Sequence, residues 1–75
     1  MDIREAMIKA LRKKYEAVIE EAKATAEVYM HRPVGIGEHP QFAEEIDKQL
    51  SAITCASDKI KAIDKYYPDE DDMPF

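Results

Sequence analysis

Tryptophan is absent from this 75-residue chain, and cysteine, glycine and proline are scarce, at one, two and four residues. A lone Cys55 cannot close an intrachain disulfide, which excludes a disulfide-stapled secreted scaffold. So few glycines and prolines exclude collagen-like and low-complexity chains. No apolar run approaches the roughly 20 residues of a membrane span. The opening MDIREAMIKA carries charges throughout and has no signal-peptide hydrophobic core. These absences lead us to expect a soluble, intracellular protein with one small domain and a thin core, since a chain of about 60 residues buries only about 60% of its unfolded surface.

What is present is charge, unevenly placed. The net charge is −5, yet residues 1–67 hold 11 basic and 12 acidic side chains and are almost neutral. Residues 68–75 hold four acidic residues and no basic ones. A DNA mimic would spread its acidity over a folded surface, and a nucleic-acid binder would need a clear basic stripe. Arg12, Lys13 and Lys14 are the densest basic cluster, but Glu16, Glu20 and Glu21 follow at once. Direct nucleic-acid binding is not expected.

Asp2 followed three residues later by Glu5 has the spacing of a helix-capping box. Ile8, Leu11, Tyr15, Val18, Ala22, Thr25 and Tyr29 then alternate steps of three and four, with Met7, Ile19 and Ala26 beside them. HRPVGIGEHP, from His31 to Pro40, breaks the pattern with two prolines and two glycines. Phe42, Ile46, Leu50, Ile53, Ala56, Ile60, Ile63 and Tyr67 resume it, with Gln49 at a strict seam position and Leu50 beside it. Pro68 ends it. The pattern predicts an all-α fold: helices over about 2–31 and 41–67, a loop at 32–40, and an acidic, disordered tail at 68–75. The helices fold back as an antiparallel, coiled-coil-like hairpin about 40 Å long at 1.5 Å rise per residue. Met7, Ile19, Val28, Met30 and the seam tyrosines form a second contact surface. Pairing of two or more copies into a helical bundle is the natural cover for it.

Catalytic chemistry is sparse. His31, Glu38 and His39 share a loop but lack the further ligand a zinc site wants, so solvated loop and cap positions suffice for them. Gly35-Ile36-Gly37 has the glycines of an anion-binding nest but no preceding strand, and turn geometry accounts for both. Cys55, with no histidine nearby in sequence, reads as a partly buried, inert thiol. Ser51, Thr54 and Ser57 read as helix-surface polar groups. We expect no enzyme, no metal and no cofactor.

The tail carries the function. Phe75 joins an aromatic ring to an α-carboxylate, suited to an apolar pocket edged by Arg or Lys. Pro74 stiffens the backbone before it, and Met73 adds an adaptable apolar contact. Asp69, Glu70, Asp71 and Asp72 would be steered by a basic rim, so that affinity falls with salt. Ordinary residue usage makes such an ending a chance event on the order of one in a million.

This terminus closely resembles the acidic C-terminal tip of bacterial single-stranded-DNA-binding proteins, an acidic run followed by an apolar residue, Pro and Phe. The matching positions are Asp71, Asp72, Met73, Pro74 and Phe75, with Asp69 and Glu70 extending the run. The resemblance implies partners among genome-maintenance enzymes: exonuclease I, RecQ-class helicases, the primosomal helicase, recombination mediators and the polymerase chi subunit. It also implies a bacterial cytoplasmic setting. The body departs from that family, whose OB-fold barrel needs alternating strand patterns and stacking aromatics. The helix–RPVGIGEHP–helix arrangement is similar to small helical proteins of tailed phages. Together these imply a phage-encoded mimic of the host tip. Two other readings stay open: a phage structural or assembly protein, and a helical inhibitor or regulatory module acting through the hairpin surface.

Overall fold

The computed structural model describes residues 2–31 and 39–68, with side chains described at 2–31 and 42–68. They form two α-helices, α1 (Ile3–His31) and α2 (His39–Tyr66), and no strand occurs among them. Asp2 caps α1 as its spacing to Glu5 anticipates: its Oδ1 accepts the Glu5 backbone N–H at 2.7 Å, and its carbonyl accepts that of Ala6 at 3.1 Å. Three side-chain contacts set the two helices antiparallel. At one end the rings of Tyr29 and Phe42 lie 5.8 Å apart at 54°. Further along, the Lys59 ammonium sits 5.2 Å from the Tyr15 ring centroid. Near the other end Arg12 pairs with Asp64.

One boundary departs from the sequence reading. Helix α2 begins at His39 rather than Gln41. A proline in the first turn has no N–H that the helix needs, so Pro40 opens α2 from within. At its other end α2 stops at Tyr66, within the expected end at Tyr66 or Tyr67. Tyr67 still donates its backbone N–H to the Ile63 carbonyl at 2.8 Å, but as the residue before Pro68 it is pushed off helical geometry. Residues 32–38 of the expected loop lie outside the described residues.

The contact between the helices is narrow and built on small side chains. Ala22, Ala26, Ala56 and Ile63, at 3–6% exposure, are the buried hydrophobics among the described residues. No large side chain among them is completely enclosed. Alanine adds little bulk, so the helix backbones can approach closely at Ala22, Ala26 and Ala56. Half-buried Ile8, Tyr15, Ile19 and Tyr29 continue this line on α1, and Phe42, Ile46, Gln49, Ile53 and Ile60 continue it on α2.

Of the expected α1 seam, Ile8, Tyr15, Val18, Ala22, Thr25 and Tyr29 are buried or half-buried, and the departure is local. Leu11, expected in the seam, is 37% exposed, whereas Arg12 beside it is half-buried against α2. Ala26, expected at the margin, is central. The apolar stripe of α1 is wider than one helix can cover, so α2 buries the side rich in alanine and covers the other only in part. Leu50 is correspondingly half out, at 51%, with Gln49 turned inward.

Candidate functional site

The residues expected to bind a partner, Asp69, Glu70, Asp71, Asp72, Met73, Pro74 and Phe75, lie outside the described residues. The structure describes the place from which that tail departs. Helix α2 delivers the chain to half-buried Pro68 through two exposed tyrosines, Tyr66 and Tyr67. The Lys65 ammonium lies 5.3 Å from the Tyr66 ring centroid and balances the negative end of the helix dipole.

Because the helices run antiparallel, this departure point lies beside the start of α1. Ile8, Lys9, Arg12 and Tyr67 line a notch of about 140 Å³ there. It joins apolar surface to two cationic side chains, one of them engaged with Asp64. Sequence reading did not single out this notch, nor the shallow groove of about 230 Å³ at mid-hairpin, where Lys14 and Val18 of α1 meet Ala52, Cys55 and Lys59 of α2. Both follow from one rule that becomes usable once the pairing is known. In an antiparallel hairpin, residues that face each other have position numbers of nearly constant sum, as Arg12–Asp64 and Tyr15–Lys59 do.

Cys55 is exposed, which corrects the expectation of a partly buried thiol. It precedes Ala56 by one residue, and so lies about 100° around the helix from the buried contact. Of the suggested loop cluster, only His31 has a described side chain, and its Nε2 lies 2.6 Å from Glu27 Oε2 on the same helix. The side chains of Glu38 and His39 and the Gly35-Ile36-Gly37 turn lie outside the described residues. Among the described residues no three His, Cys, Asp or Glu side chains gather where they could hold a metal ion. No described helix is long and apolar enough to cross a membrane.

Comparison with family models, with curated proteins and with solved structures gives no match. The functional reading therefore rests on the residues of this chain.

Proposed function

We propose that this chain is a non-enzymatic interaction protein that presents a mimic of the host single-stranded-DNA-binding protein's acidic tip to host DNA replication, recombination or repair enzymes, in a phage-infected bacterial cell. The observation that carries the reading is the closing sequence Asp69 to Phe75, with its acidic run, Met-Pro and aromatic end. Phe75 would enter an apolar pocket while its carboxylate pairs with a basic residue at the rim, and the acidic run would meet positive charge around it.

Two features of the body support this use. The four carboxylates of Asp69 to Asp72 share the sign of the C-terminal end of α2, so the helix dipole offers them no attraction. Pro68 and the two exposed tyrosines end the helix before the tip, which separates scaffold from ligand. Pairing of two copies would present two tips and raise apparent affinity for partners that offer more than one pocket.

The test is a pull-down from bacterial lysate with three forms: the intact chain, a Phe75 deletion, and a one-residue extension after Phe75. The intact chain is expected to retrieve exonuclease I, RecQ-class or primosomal helicase, a recombination mediator or the polymerase chi subunit. The other two are expected to retrieve none of them. A free peptide of the last eight residues should compete, and raised salt should weaken capture. Equal recovery by all three forms would overturn the reading.

A further inference from the structure

The side of α1 that α2 covers only in part carries a regular pattern. Met7, Leu11, Lys14, Val18, Glu21, Thr25 and Val28 recur at steps of four and three and form one stripe. Met7, Leu11 and Val28 are 61%, 37% and 53% exposed, and Val18 and Thr25 are half-buried. The groove in which Val18 lies beside Ala52 and Cys55 places this stripe on the same face of the hairpin as those α2 residues. The stripe is also self-complementary. Counted outward from Val18 along the stripe, and to within one residue in spacing, Met7 pairs with Val28, Leu11 with Thr25, and Lys14 with Glu21.

We infer that this face is the interface between two copies of the chain, joined by a two-fold axis that passes beside Val18 and runs across the helices. The axis lays α1 antiparallel on α1 of the second copy and α2 antiparallel on α2. Val18 meets its own counterpart, each Lys14 meets a Glu21, and apolar Met7 and Val28 cover each other. The other simple two-fold, running along the helices, fails on charge. Lys14 and Lys59 border the same groove, and that axis would stack Lys14 of each copy on Lys59 of the other and gather four ammonium groups at one level. The chosen axis brings the two Cys55 residues together at the centre of the α2 pair, whereas the other one offsets them. The inference does not depend on the tip.

Lys14 and Glu21 suit a test by charge exchange. They stand seven residues apart, and neither has a charged residue three or four positions away, so reversal leaves pairs within α1 undisturbed. Sedimentation equilibrium of the full chain across the micromolar range should give a dimer. Lys14→Glu and Glu21→Lys alone each turn two attractions into two repulsions and should raise the dissociation constant about tenfold or more. The double variant restores both pairs and should return to within about threefold of the parent. A short bismaleimide should join the dimer through Cys55, and circular dichroism should give the same helix content for all variants. A strict monomer, which would leave the face to the chain's own tail or to another protein, overturns the inference. So does a dimer that ignores the charge exchange or resists linkage at Cys55.

Discussion

Replacing isoleucine by alanine at two positions, Ile63 and Ile3, measures how much of this fold rests on the narrow contact between its helices. Ile63 is 6% exposed and Ile3 is 77% exposed, so the same atoms are removed from opposite environments. Removing a buried isoleucine side chain costs about 2–5 kcal/mol, counting the cavity left behind. A contact between only two helices can partly collapse around the gap, which places Ile63→Ala near the lower end, about 2–3 kcal/mol. At Ile3 about a quarter of the burial free energy of 1.5–3 kcal/mol is at stake, and the better helix propensity of alanine offsets much of it. A domain of this size has roughly 4–11 kcal/mol in total. Ile63→Ala should therefore lower Tm by roughly 10–20 °C, since each kcal/mol is worth about 4–8 °C here, while Ile3→Ala should stay within about 3 °C. Thermal unfolding by far-ultraviolet circular dichroism reads both, at one fixed chain concentration because self-association would move Tm. Equal shifts for the two variants would refute the claim that the α1–α2 contact holds the fold.

Ala56→Leu should destabilise by about 1–3 kcal/mol through overpacking at 4% exposure, whereas Ala17→Leu on the exposed side should be nearly neutral; urea midpoints compare them. Asp2→Ala removes the acceptor of the Glu5 N–H and should cost about 1 kcal/mol, with Asp2→Asn retaining most of it in the same titration. The ion pair of Arg12 and Asp64, 34% and 59% exposed in their side chains, should give a coupling below about 1 kcal/mol in a double-mutant cycle, falling further with salt.

Helix positions were legible in the sequence because the signals there are local. Asp2 and Glu5 announce the start of α1, the spacing of apolar residues carries both helices, and Pro68 stops the second. The exact facing was less legible. Leu11 and Arg12 compete for neighbouring positions, and hydropathy favours the leucine. The structure favours the side that brings Ala22 and Ala26 against Ala56, because close approach there gathers more contact than one leucine supplies. That preference depends on the partner helix and has no trace within α1 alone. Cys55 was misplaced for the same reason: one residue separates it from Ala56, and on a helix this is the difference between outside and inside. Pro40 reads in the sequence both as punctuation and as a first-turn residue, and α2 takes it into its first turn. The notch at Ile8, Lys9, Arg12 and Tyr67 joins residues nearly sixty positions apart and becomes visible only after the hairpin is closed.

The hairpin returns its chain to the early turns of α1, where Tyr67 shares a notch with Ile8 and Lys9. Anything fused ahead of Asp2, such as a purification handle or a fluorescent domain, hangs beside the base of the tail and can shade it. A small reporter on half-exposed Met30 instead sits about 30 Å from that point along the helices, at 1.5 Å per residue. The choice of attachment point therefore decides whether a negative binding experiment speaks about the protein or about its label.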